Sequence, residues 1–175
     1  LVPERAGVKL GFLGALKFIW GALPSIPGMI RNRPSVVIAR VFVKKLQETK
    51  KYEKIGAIGY CFGGAIATRV GATTDLFQSI VLAHPSNPTD AQLRAIKAPT
   101  AWSAAEGTLL FAPCPAIAAL HAGRKGTADF VEYEIKVYKA HGFAARPNFE
   151  YPEVKEGFEE AFKQAVEWFN KTLPA

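Results

Sequence analysis

The chain has 175 residues, 49% of them apolar and 21% charged, and carries a formal net charge of +7 from 22 basic and 15 acidic side chains. That length supports one domain with a real core, and a mean hydropathy of +0.07 is ordinary for a globular protein. The lysines and arginines are isolated or in short pairs without interleaved aromatics, which argues against a nucleic-acid reader, and the two cysteines are too few for a disulfide framework.

Residues 10–23 are apolar with Lys9 and Lys17 beside or inside the run, and Pro24 and Pro27 break the pattern. This predicts a short, buried or half-buried helix followed by a turn, with an amphipathic membrane contact as the other reading. The run is too short and too charged to span a bilayer. Glu4 and Arg5 ahead of it give neither the basic start nor the cleavage site of a signal peptide. Residues 35–45 are ambiguous by pattern: their β-branched content favours a strand, whereas recurrence at i, i+4 behind Pro34 favours a helix.

From residue 55 the pattern becomes regular. A strand at 55–60 leads into a helix at 63–70 that ends near Gly71, and a short apolar strand at 79–83 precedes a helix at 90–96. A strand at 99–104 is followed by a helix at 116–122 before Gly123. Over 130–138, Val131, Tyr133, Ile135 and Val137 alternate with charged positions, as in a half-buried strand. The last helix, about 156–172, aligns Phe158, Phe162, Ala165, Val166 and Phe169 on one stripe, with Glu159, Lys163 and Glu167 opposite. Strands alternating with helices predict an α/β fold with a mostly parallel sheet flanked by helices. No repeat or linker divides the chain, so residues 1–175 read as one domain, with 1–34 as an atypical N-terminal segment.

The run Ile55-Gly56-Ala57-Ile58-Gly59-Tyr60-Cys61-Phe62-Gly63-Gly64 ends an apolar strand in a glycine-flanked cysteine and turns at once into a helix. Most buried cysteines are inert packing residues. The glycines point to a nucleophile elbow: in such a turn the nucleophile takes a strained backbone, and the residues two before and two after it come so close that only a hydrogen fits. Gly59 and Gly63 occupy those places. The N-terminus of the following helix stabilises anions near Cys61, and the N–H of Phe62 is the first oxyanion donor. A phosphate loop is excluded, because its Lys-Ser/Thr end and the full GxGxxG spacing are missing.

In an α/β-hydrolase the nucleophile is followed in chain order by an acid and then a histidine. His141 fits that order, just beyond the strand at 130–138. The segments Gly59-Tyr60-Cys61-Phe62-Gly63-Gly64, Ala83-His84-Pro85-Ser86, His141-Gly142-Phe143-Ala144-Ala145-Arg146 and Ala161-Phe162-Lys163-Gln164-Ala165-Val166-Glu167-Trp168-Phe169 together resemble the dienelactone hydrolase family, especially its fungal members. The resemblance covers roughly residues 35 to 172. It implies an α/β-hydrolase fold and a Cys-His-Asp triad acting on esters or lactones, with Cys61 as nucleophile and His141 as base. It also places a helix, rather than a strand, at 35–45.

Two departures from the family stand out. The triad aspartate is expected in a Glu-x-Asp-x-x-Phe segment after the strand at 99–104, but this chain reads Glu106-Gly107-Thr108-Leu109-Leu110-Phe111. Thr108 can accept a hydrogen bond from imidazole without stabilising its positive charge, and Glu106, two residues earlier, is the alternative acid if its longer side chain reaches. The reading with no acid at all is a catalytically impaired hydrolase-like binding protein. Family members also carry several strands before the elbow, whereas little before Ile55 here reads as strand; the sheet is expected to be incomplete on that side, or the sequence to be part of a longer chain, and no segment is recognised for the second oxyanion donor. An unfinished sheet exposes an edge that residues 1–34 or self-association must cover.

The expected partner is a small ester or lactone. The positive net charge suits an anionic one, and the dienelactones the family is named for carry a carboxylate. No cofactor is implied, and His84, His121 and His141 lack metal-ligand spacing with Cys61 or Cys114. His121 is expected to be partly exposed, His84 to border a pocket at the strand ends, and Cys114 to be structural. Few cysteines and no evident export signal suit a reducing, cytoplasmic setting.

Overall fold

The computed structural model describes residues 34–85, 88–106, 114–139 and 142–174, with 13, 16, 17, 20, 21 and 23–25 nearer the start. Helix α1 spans Pro34–Lys50. Proline at the first helical position loses no helical hydrogen bond. Val36, Ala39, Val43 and Leu46 then recur at helical spacing and pack into the core. That burial outweighs the few tenths of a kcal/mol by which each β-branched residue disfavours a helix, so the ambiguous segment is helical. Lys51, at φ 55°, ends it, and its N–H bonds to the Gln47 carbonyl at 2.9 Å.

Strand β1 (Gly56–Tyr60), helix α2 (Phe62–Gly71), strand β2 (Ser79–Ala83), helix α3 (Asp90–Ala95), strand β3 (Thr100–Ala105), helix α4 (Cys114–Ala122), strand β4 (Tyr133–Tyr138) and helix α5 (Pro152–Thr172) follow in turn. The four strands pair in parallel in the order β1-β2-β3-β4. The central strands β2 and β3 are buried along their whole length, which explains their near-continuous apolar sequences. Strand pleating sends Ile80 and Leu82 to one face, where they meet Val43 of α1, Ala67 and Val70 of α2, Leu93 of α3 and Ile117 and Leu120 of α4. Val81 and Ala101 face the other way, onto Ala165 and Trp168 of α5. Among the described residues, α5 is the helix that packs on this second face.

The edges of the structure are tied by polar contacts. Thr89 and Gln92 form a reciprocal capping box at the start of α3. The Ser103 hydroxyl donates to Gln164 Oε1 at 2.7 Å, and Gln164 Nε2 donates to Glu134 Oε1 at 3.0 Å, which fixes α5 against β3 and β4. Lys171 pairs with Glu132, and Lys54 Nζ reaches the Pro174 carbonyl at 2.6 Å.

Three sequence expectations are corrected. The inward face of α5 is Val154, Gly157, Ala161, Gln164, Ala165 and Trp168, while Phe162 and Val166 are 67% and 42% exposed. Gln164, which the helical pattern assigned to neither face, is buried through its amide partners on β3 and β4. Near the start, Leu13 and Trp20 are helical but 71% and 70% exposed, not buried. His121 is 1% exposed rather than partly exposed. Its ring stacks on Tyr133 at 4.5 Å and 20°, and neither ring nitrogen has a hydrogen-bond partner among the described residues.

Burial, and secondarily the nearby Arg124 cation, lowers the His121 pKa to about 4. Its ordinary value is 6.5, so between these two the unfolded chain binds a proton that the folded chain refuses. His121 therefore leaves stability intact above about pH 6.5 and subtracts progressively as pH falls toward 4, by about 3 kcal/mol in total. Urea midpoints measured from pH 7 to pH 4 should fall along this segment. The decline should be shallower in His121→Leu, and an identical pH profile in the two proteins would contradict the assignment.

Candidate active site

The site is built where β1 meets α2. Cys61 adopts φ 50° and ψ −115°, a conformation that costs a side-chain-bearing residue about 1–3 kcal/mol. Hydrogen bonds on both sides hold it there: its N–H donates to the Ala83 carbonyl at 3.0 Å, and its carbonyl accepts from the Ala65 N–H at 3.3 Å. The first bond ties the turn to the central strand β2, the second to the first turn of α2. Cys61 is half-buried and stands at the N-cap of α2. The first N–H groups of a helix, beginning here with Phe62, have no acceptor within it.

The glycines divide unequally around this turn. A Cβ on Gly59 would lie 2.5 Å from the Gly63 carbonyl oxygen and 2.7 Å from Gly64 Cα, so the strand and helix backbones touch there. A Cβ on Gly64 would meet Pro85 Cβ at 2.8 Å, which packs the helix start onto the segment after β2. At Gly63 a Cβ would meet nothing within 4 Å among the described residues. The close approach expected of Gly63 falls on Gly64 instead, because the helix turns the second glycine, not the first, toward Pro85. The tandem Gly-Gly was the available signal.

The other candidates lie along the same C-terminal edge of the sheet, because register aligns the strand ends: Tyr60 with Ala83, Ala83 with Ser103, and Ala105 with Tyr138. His84 follows β2 at φ 37°, its N–H bonded to the Ser103 carbonyl at 2.8 Å. At 1% exposure it lies beneath the surface, its ring edge-on to Phe143 at 5.3 Å and 6.5 Å from Tyr60. Glu106 follows β3 and is exposed, its carboxylate 3.4 Å from Lys139 Nζ and its N–H on the Tyr138 carbonyl at 2.8 Å. Thr108 and His141 lie outside the described residues.

Phe143 and Tyr138 were not singled out by sequence reasoning. Phe143 is fully buried against Ala105, Val154, Tyr138 and His84, and it anchors the turn that begins at Gly142. The Tyr138 hydroxyl is buried without a partner among the described residues, and burial, then the Glu160 and Glu134 charges, push its pKa up to about 12. A cavity of about 140 Å³ lies next to this edge, lined by Tyr60, Ala83, Ser103, Ala144 and Phe158 among others. A larger groove of about 610 Å³, between α1 and the turn at 74–76, shares no residue with the elbow. No group of three or more metal-ligating side chains is assembled among the described residues, and none of their helices is long and apolar enough to cross a membrane.

A parallel sheet flanked by helices, with a strained elbow at the end of one strand, defines an α/β-hydrolase fold. Solved structures agree: a protein titled m3DLH aligns over 88% of this chain and 68% of its own, at a TM-score of 0.60 and 16% identity. A dienelactone hydrolase-like promiscuous phosphotriesterase from metagenomic libraries aligns over 92% of this chain at a TM-score of 0.56 and 15% identity. The chain belongs to the dienelactone hydrolase family, whose model matches residues 28–173. It is 34% identical to the hydrolase tropI of Talaromyces stipitatus over 141 residues, and 26% identical to the human carboxymethylenebutenolidase homolog over 153. These matches take in 78% and 84% of this chain but 53% and 62% of the relatives, so the chain spans little more than half their length.

The glycine geometry yields a ranked set of substitutions. Gly59→Ala should destabilise the protein by at least about 1–3 kcal/mol, because the added methyl meets backbone that cannot move aside. Gly63→Ala should be neutral or stabilising by up to about 1 kcal/mol, since a helical position gains from alanine and no described atom lies within 4 Å of the added methyl. Chemical unfolding of the two variants checks this, and equal stabilities would contradict the elbow packing.

Proposed function

We propose that the chain cleaves an ester or lactone of small size through a thioester on Cys61. The Cys61 sulfur, its proton passed to His141, attacks the carbonyl carbon, and the resulting oxyanion is held by the Phe62 N–H. His141 gives a proton to the departing alcohol oxygen as the tetrahedral species collapses to the thioester. His141 then takes a proton from water, which attacks the thioester and releases the acid and the Cys61 sulfur. The reading is carried by one observation: Cys61 holds a reversed backbone at a strand–helix junction, strain that a purely packing cysteine does not require. Membership of a hydrolase family supports it.

Glu106 is the candidate partner for His141 on this reading, since it leaves β3 beside Lys139, two residues before His141. Its exposed pairing with Lys139 favours a second reading as well, in which the imidazole lacks a carboxylate and the protein binds ligands without turning them over.

Hydrolysis of a series of small aryl esters and lactones should be measured for the parent protein and three variants. Cys61→Ala and His141→Ala should each lose on the order of 10³-fold or more in kcat. Glu106→Gln should lose at least about tenfold if it orients the imidazole, and nothing if Lys139 is its sole partner. Equal activity of the parent, Cys61→Ala and His141→Ala proteins would overturn the mechanism. An inactive parent whose Cys61 resists mild electrophiles would establish the binding role.

A further inference from the structure

Two neighbouring turns at the C-terminal edge put a left-handed backbone on a residue with a side chain: Cys61 at φ 50° and His84 at φ 37°. Glycine enters this region freely, and asparagine, aspartate and histidine enter it more readily than other residues. The backbone around His84 has anchors of its own. The Ala83 carbonyl accepts from the Cys61 N–H at 3.0 Å, the His84 N–H donates to the Ser103 carbonyl at 2.8 Å, and Pro85 fills the space beside Gly64. A glycine at position 84 would keep all of these contacts, so the backbone does not account for the imidazole buried there at 1% exposure.

The ring lies between the two halves of the proposed reaction centre. It is edge-on to Phe143, with centroids 5.3 Å apart at 72°, and 6.5 Å from the Tyr60 ring at 55°. Tyr60 immediately precedes Cys61, and Phe143 follows His141 by two residues. Edge-to-face and tilted contacts at such separations are the favoured arrangement of aromatic rings. Phe143 is backed by Tyr138, Ala105, Val154 and Ala161, so it is held against the imidazole from behind.

We infer that His84 is a positioning residue for the hydrolysis proposed above, its imidazole serving as a rigid spacer that fixes the Cys61 elbow and the segment bearing His141 at one separation. The inference rests on that reading of Cys61 and His141. Without the spacer, the turn at Gly142 and Phe143 gains room to shift toward Tyr60, and a displacement of about 1 Å between reacting groups can lower a rate about 100-fold.

The test is aryl-ester hydrolysis by variants assayed well below their melting midpoints. His84→Gly removes the ring and relieves the backbone; it should lose about 100-fold in kcat while KM stays within about twofold of the parent. His84→Phe, which returns an aromatic ring to the gap, should recover at least about tenfold of that loss. Phe143→Leu should also lower kcat, and adding it to His84→Gly should cost no more than about twofold further, because both act through one contact. Should His84→Gly fail to fold, His84→Asn takes its place, since asparagine also tolerates the left-handed backbone. A parent whose activity depends on Cys61 but whose kcat survives removal of the ring would overturn this inference alone. So would a His84→Phe variant no faster than His84→Gly, or kcat losses that multiply in the double variant. An inactive parent, or full activity in Cys61→Ala and His141→Ala, would overturn the mechanism and this inference together.

Discussion

A single residue with a reversed backbone angle organises the functional end of this fold. Cys61 sits at φ 50° because its amide must reach the Ala83 carbonyl on β2 while its own carbonyl already accepts from Ala65 in α2. A chain that satisfies both partners turns sharply, and a sharp turn brings the end of β1 against the start of α2. Gly59 permits this contact, since any side chain there would overlap the Gly63 carbonyl. The strain, about 1–3 kcal/mol, is sustained by a rigid surround. β2 is buried from Ser79 to Ala83 and hydrogen-bonded on both sides, so the acceptor at Ala83 cannot retreat.

The same central strands set the positions of everything else along the C-terminal edge. Register places the ends of β1, β2, β3 and β4 side by side, and the residues that follow them converge there without any contact in sequence. Phe143 then locks the turn after β4 by filling the space between His84, Tyr138 and Ala105. The opposite tendency rules at β1. The inward face of α5 is drawn toward β3 and β4 by the Ser103-Gln164-Glu134 chain, which leaves Phe162 and Val166 outside and Ile58 and Tyr60 partly uncovered. The ordered elbow and the partly uncovered side chains of Ile58 and Tyr60 thus lie within five residues of one strand.

Much of this was readable from the residues. The strand at 79–83 matches β2 because five consecutive apolar or small residues bounded by turns describe a buried parallel strand. The elbow is legible because its glycines are demanded locally. The assignment of α1 needed a resemblance as well as a pattern, since Val36 to Val43 suits both periodicities. Long-range effects were hidden. Nothing local reveals that Gln164 is buried by partners 30 and 61 positions away, or that Tyr133 covers His121 from another strand. Gly63 and Gly64 are indistinguishable until the helix phase decides which one meets Pro85.

The central claim is that the strained Cys61 sulfur forms the acyl intermediate. It is tested most directly by quenching the protein during reaction with an aryl ester and mapping the acyl group by peptide mass spectrometry. The account predicts a hydroxylamine-sensitive thioester on the peptide bearing Cys61 and none on the peptide bearing Cys114. Turnover with no acyl group on Cys61, or with the adduct on another residue, would contradict it.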